Sequence, residues 1–171
     1  IVPCYNSGKY IKNSVYCLLT QYYNNIEIIC VNDGSTDNTA EVLEELAAAN
    51  ENIKVITLEE NRGLFNARII GADNASGDYI AFMDSDDTFT PGLISALADK
   101  AVESGADLVL SDYRRESEHR PGDTSYYNLE PLHLEDIQSD GKEMLDKLMR
   151  MHGLCPHYQF FCGKFIRRDL W

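Results

Sequence analysis

No apolar run in this chain approaches the roughly twenty residues that a membrane-crossing helix needs, and no stretch has the layout of a signal peptide. Those two lacks predict a chain with no membrane span and a cytoplasmic location, any peripheral attachment to the inner face of the membrane coming from regions outside it. Basic residues are scarce: 15 Lys and Arg stand against 28 Asp and Glu, a formal net charge of −13. That balance repels polyanions, so nucleic acid and anionic bilayers are poor partners and a small-molecule ligand is the remaining class. Cysteine is too sparse for a disulfide framework. The five are an odd number, and Cys4, Cys17 and Cys30 lie in apolar segments, where they read as reduced core residues. The crowding of His152, Cys155, His157 and Cys162 suits a zinc site, but their spacing matches no strong finger pattern and aromatics interleave them, so the sequence leaves metal binding there open. An initiator Met is missing too. Ile1-Val2-Pro3 reads as the middle of a strand, so the expectation is one structural domain truncated at both ends.

What is present is organised around Tyr79-Ile80-Ala81-Phe82-Met83, an apolar run that breaks into Asp84-Ser85-Asp86-Asp87. Such a run, bounded by polar turn signals, suits a strand of a parallel sheet covered on both faces, and ligands of open α/β sheets bind where these strands end. If Asp84–Asp86 stays extended, the carboxylates of Asp84 and Asp86 share one side, about 7 Å apart at about 3.3 Å per residue. That placement attracts a hard divalent cation, Mn2+ or Mg2+, with open positions for substrate phosphates. The plain alternative is a solvated acidic turn.

The rest of the chain repeats the strand and helix alternation. Strands are expected at Ile1–Tyr5, Ile26–Val31, Ile53–Leu58 and Asp107–Ser111, and helices at Lys9–Tyr23, from Ser35 or Thr36 to Ala49, Leu64–Ala75 and Gly92–Glu103. Ser35 or Thr36 is the expected cap of the second helix, and Asp37 complements its dipole. Tyr5-Asn6-Ser7-Gly8 is turn chemistry at one strand end, and Asn32-Asp33-Gly34-Ser35 at another, where the Asp33 carboxylate can accept from a ligand N–H or hydroxyl. Ala67, Gly71 and Ala75 would let the third helix lie close to its neighbour. Arg68, on the same helix, is either a solvated cation or a guanidinium aimed at phosphate. Arg114–Asp123 has no apolar period and reads as a loop, Tyr126–Leu134 as a strand, and Ser139–Met151 as an amphipathic helix. Phe160–Trp171 stops without a turn or cap. The alternation demands a mostly parallel sheet flanked by helices, an α/β fold.

Taken together, Pro3-x-Tyr5-Asn6, Val31-Asn32-Asp33-Gly34-Ser35-Thr36-Asp37, Asn61-x-Gly63 with Ala67-Arg68, and Gly77-Asp78-Tyr79-Ile80 leading to Asp84-Ser85-Asp86-Asp87 resemble glycosyltransferase family 2. The resemblance implies a GT-A fold, a nucleotide-sugar donor with UDP-sugars the commonest, a divalent cation, an acceptor on a glycan or lipid-linked glycan, and transfer with inversion. It places Pro3, Tyr5, Asn6, Asp33, Arg68, Asp84 and Ser85 around the nucleotide sugar, with Asp33 on the base, Asp84 on the ribose side and Asp86 on the metal, Asp84 being a second possible ligand. Residues 1–112 would form the donor-binding core and 113–171 the start of the acceptor side. The family's general base follows a segment like Gly163-Lys164-Phe165-Ile166-Arg167-Arg168, which places it beyond Trp171; Asp112 and Asp169 are the nearest substitutes by position. Ile69 and Gly163 stand where the family often has Asn. The rival readings are a haloacid-dehalogenase phosphatase using Asp84 as nucleophile, a nucleotidyltransferase, and a nucleotide-binding module without catalysis. No feature of the sequence selects the sugar, the acceptor or an oligomeric state.

Overall fold

The computed structural model describes residues 1–111, 113–116, 124–127 and 163–171. Strands β1 (Val2–Cys4), β2 (Ile28–Asn32) and β3 (Ile53–Thr57) form a parallel sheet in the order β1-β2-β3, with Val2 beside Cys30 and Ile28 beside Ile53. Strand β4 (Tyr79–Ala81) continues it on the other side of β1. The amino group of Ile1 donates to the Ala81 carbonyl at 2.7 Å, and the Met83 amide donates to the Ile1 carbonyl at 3.0 Å.

Helices α1 (Ile11–Leu19), α2 (Thr39–Ala49), α3 (Leu64–Asp73) and α4 (Leu93–Ser104) make the crossovers, and β5 (Leu108–Leu110) follows α4. The alternation of β2 shows why its apolar run is unbroken. Ile28 and Cys30 pack with Ile11, Val15, Leu18 and Leu43 of α1 and α2, while Ile29 and Val31 pack with Ala67 of α3, so both faces are covered. Gly71 of α3 lies so close to β1 that a Cβ there would meet the Ile1 side chain at 2.4 Å, the close approach expected from the small residues. Cys4, Cys17 and Cys30 are free thiols, as expected, and the hydrogen bond with Cys30, then burial, push the Cys4 thiol far up.

The chain departs from the sequence reading after β5. Tyr113–Glu116, most of it assigned to a loop, is strand β6, paired antiparallel with β7 (Thr124–Tyr127). A Tyr-Arg-Arg-Glu strand held by backbone pairing carries no apolar period, which hid it. The last segment does not end bare. Strand β8 (Lys164–Arg167) inserts antiparallel between β4 and β5, and a 3-10 turn follows at Arg168–Leu170. The Tyr126–Leu134 strand is therefore seen only in its first two residues, within β7. The Ser139–Met151 helix, Asp112, and the His152, Cys155, His157 and Cys162 group lie outside the described residues. Among the described residues no helix is long and apolar enough to cross a membrane.

Candidate functional site

The carboxyl ends of β1, β2 and β4 open on one edge, and the loops there are laced together by side chains. Asn6, with φ of 49°, turns its Oδ1 to the Thr36 amide at 2.8 Å, while its own amide donates to Ser35 Oγ at 3.0 Å. The Ser7 amide donates to Thr39 Oγ1 at 2.9 Å and the Gly8 amide to Asp37 Oδ2 at 3.1 Å. Ser35 and Thr36 therefore do not cap α2; they are spent on the first loop. Asn38 stands at the N-cap without a side-chain cap bond, and Asp37, just before it, accepts from the Thr39 amide at 3.0 Å and from its hydroxyl. The Thr39 hydroxyl leads the donors that hold the Asp37 carboxyl below the ordinary aspartate value.

Asp33 sits at the tip of β2 with only 2% of its surface exposed. Its Oδ1 accepts from the Arg62 amide at 2.8 Å and its Oδ2 from the Gly63 amide at 2.9 Å, so the carboxylate fixes the loop before α3. Gly34 is held at φ 63° with the Glu60 carbonyl carbon 2.5 Å from where a Cβ would stand, a position open only to glycine.

The acidic run is not extended. The Asp87 amide donates to the Asp84 carbonyl at 3.0 Å, closing a turn over Ser85 and Asp86, and this replaces the expected same-side, extended spacing of Asp84 and Asp86. The two carboxylates have different surroundings. Asp84 takes Arg68 Nη2 at 2.7 Å, its side chain 29% exposed against 10% for arginine. Asp86 is exposed at the turn. Arg68 is thus a buried partner of Asp84 rather than a solvated cation. Tyr5 is half exposed, and Pro3 is buried within β1 beside Val31.

Sequence reasoning missed what holds the turn. Ser14, Cys17 and Gln21 lie along one side of α1 and its exit: Ser14 Oγ donates to the Ser85 carbonyl at 2.8 Å, and Cys17 Sγ accepts from the Phe89 amide at 3.2 Å. Gln21 donates to the Thr90 carbonyl at 3.0 Å and accepts from the Ile94 amide at 3.2 Å. The available signal was Ser14, Cys17 and Gln21 at helical spacing, next to the apolar face of Ile11, Val15 and Leu18.

A cavity of about 400 Å³ lies elsewhere, at the amino ends of β2 and β4, lined by Ile28, Tyr79, Val102 and Phe165 among others. Glu27 on its rim already accepts from the Ser76 and Gly77 amides at 2.6 and 2.8 Å. Strand topology, not that volume, makes the opposite edge the candidate ligand site. Among the described residues no three Asp, Glu, His or Cys side chains gather as a metal cluster.

Helices on both faces of a sheet whose parallel strands feed acidic and amide-rich loops at one edge define an α/β protein of the Rossmann-like class. The chain belongs to glycosyl transferase family 2, whose model matches residues 1–168. It is 42% identical over 113 residues to "Glycosyltransferase GlyA" of Streptococcus pneumoniae, covering 66% of this chain and 16% of that one. Among solved structures it resembles S. aureus TarS 1-349 in complex with UDP, with a TM-score of 0.61 and 34% identity over 64% of this chain and 33% of that one. Mannosyltransferase PcManGT from Pyrobaculum calidifontis, in complex with GDP-Man and Mn2+, shares the fold at a TM-score of 0.61 and 20% identity, covering 67% of this chain and 34% of that one. These neighbours identify the fold as GT-A.

Proposed function

We propose that this chain carries the donor side of an inverting glycosyltransferase that moves a sugar from a nucleoside diphosphate sugar, a UDP-sugar first, to a hydroxyl of a glycan or lipid-linked acceptor. The observation that carries the reading is the convergence at one sheet edge of Asp33, the Arg68–Asp84 pair and the turn bearing Asp86. TarS, the relative seen with UDP and with UDP-GlcNAc, supports a uridine nucleotide.

In this reading Tyr5 and Asn6 border the nucleotide, and Asp33 accepts a base N–H. Each Asp33 oxygen keeps a lone pair beyond its backbone bond, so both roles are compatible. Asp84, steadied by Arg68, faces the ribose side, with Ser85 beside it. The acceptor oxygen bonds to the anomeric carbon as the bond to the diphosphate breaks; its proton passes to a base, and the nucleoside diphosphate departs. A hard divalent cation, Mn2+ or Mg2+, fits the donor set, since Asp86 offers an exposed carboxylate and Asp84 a second one shared with Arg68. When bound, it offsets negative charge on the diphosphate. The phosphatase reading needs Asp84 as an attacking nucleophile, and its pairing with Arg68 favours the transferase instead.

The test is calorimetric titration of the chain with UDP and GDP, with and without MnCl2. Manganese-dependent binding of UDP is expected. Absence of binding to both nucleotides under both conditions would overturn the reading.

A further inference from the structure

Three charged side chains cap a column of apolar contacts between α3, β4 and β8. At its base Ala72 of α3, Ile80 and Phe82 of the β4 run and Ile166 of β8 pack together. One step toward the carboxyl edge, each element replaces its apolar residue with a charge. On α3, four residues before Ala72, stands Arg68; two residues beyond Phe82 stands Asp84; two residues before Ile166 stands Lys164. The steps match, because four helical residues advance about 6 Å and two strand residues about 6.6 Å. Strand alternation sends Phe165 to the opposite face, where it stacks on Tyr79 at 4.7 Å, so Lys164 shares the α3 side with Ile166.

The antiparallel insertion of β8 is what brings a lysine here. Its first residue lies at the edge where its parallel neighbours end, with Lys164 beside Leu110 and Phe165 beside Ala81. The preceding residue is pinned, since the Gly163 carbonyl accepts from the Ser111 amide at 3.0 Å and from the Ser111 hydroxyl at 3.1 Å. Burial, and then the charge of Arg68, push the Lys164 ammonium below the ordinary lysine value. Two cations against the single carboxylate of Asp84 leave this partly buried edge with a net positive charge that favours an anion.

We propose that Lys164 is a binding residue for the terminal phosphate of the nucleoside diphosphate, acting beside the Arg68–Asp84 pair. This rests on the donor-side reading above. Lysine suits the role because its ammonium is a compact point charge on a flexible stem, able to follow phosphate oxygens whose negative charge grows as the sugar leaves.

The test compares UDP with UMP, which lacks that phosphate, by calorimetry on the full 171-residue chain and its Lys164→Met and Lys164→Arg variants. The wild-type chain is expected to prefer UDP. Lys164→Met should weaken UDP about tenfold and leave UMP within twofold, and Lys164→Arg should restore most of the preference. Lys164→Gln, a second neutral variant, substitutes if the methionine form does not fold, with the melting temperature reporting folding. An unchanged UDP-to-UMP ratio in a folded neutral variant overturns the role of Lys164 alone, as does an equal loss for both ligands. A wild-type chain that binds neither nucleotide overturns the donor-side reading and this inference with it.

Discussion

The Asp33 carboxylate lies against the loop before α3, one oxygen 2.8 Å from the Arg62 amide and the other 2.9 Å from the Gly63 amide. A side chain that ties two chain segments and, on the proposed reading, also meets the base would couple the shape of the nucleotide site to the stability of the fold. Asp33→Asn turns one acceptor into a donor that opposes a backbone N–H in a nearly water-free position. The expected cost is about 1–3 kcal/mol in denaturant unfolding. If Asp33 meets the base as proposed, UDP affinity should fall more than pyrophosphate affinity. Equal loss for both ligands would leave Asp33 with the structural task only.

The Arg68–Asp84 pair separates in the same way into two variants and their combination. Asp84→Asn leaves a largely buried guanidinium facing a neutral amide, and Arg68→Met leaves a partly buried carboxylate; each should cost about 1–3 kcal/mol. The double variant should lose less than the sum, since the second change removes the charge that the first left exposed to a poor environment. Strict additivity in a double-mutant cycle would show that the 2.7 Å contact carries no coupling.

The layers were legible because β2 and the β4 run are apolar on both faces, which is the mark of covered parallel strands. The strand-end positions of Asp33 and Asp84 followed from the same pattern. The shape of the edge did not. Asp37 holds Gly8, 29 residues away, and Ser14 holds the Ser85 carbonyl, 71 residues away, and neither bond leaves a local trace in composition. The acidic run curls because the Asp87 amide finds the Asp84 carbonyl, a competition that period-counting cannot decide. Strand β8 escaped notice because Lys-Phe-Ile-Arg is short and charged at both ends, and its pairing runs to strands more than fifty residues earlier.

Acid should loosen the fold through two carboxylates far from each other. Burial pushes the Glu27 carboxyl up, but the amide and hydroxyl of Ser76 and the amide of Gly77 outweigh it and hold the group below its ordinary 4.5. Asp37 is held below 3.8, first by the Thr39 hydroxyl. Both groups bind protons less readily folded than unfolded. Their contribution is complete above the unfolded values and disappears as pH falls through the lowered folded ones. Urea midpoints should therefore hold steady down to pH 4.5 and decline below it, and Glu27→Gln should flatten that decline. An acid limb of undiminished steepness in Glu27→Gln would remove Glu27 from the explanation.

Asp86 differs from Asp33 and Asp84 in being exposed at the turn, with no bond to another described residue that its loss would break. Asp86→Ala should leave urea stability within about 0.5 kcal/mol of the wild type, as surface changes usually do. Its effect should fall on the metal. If Asp86 supplies a hard oxygen ligand, UDP binding in the variant becomes insensitive to MnCl2, while the manganese-free component of the affinity is unchanged. Asp84→Asn would instead lose stability together with affinity, because it also releases Arg68. Calorimetric titrations of both variants with UDP, each at matched ionic strength with and without manganese, separate the two roles. Manganese-dependent binding that persists at wild-type strength in Asp86→Ala would move the metal site away from this turn.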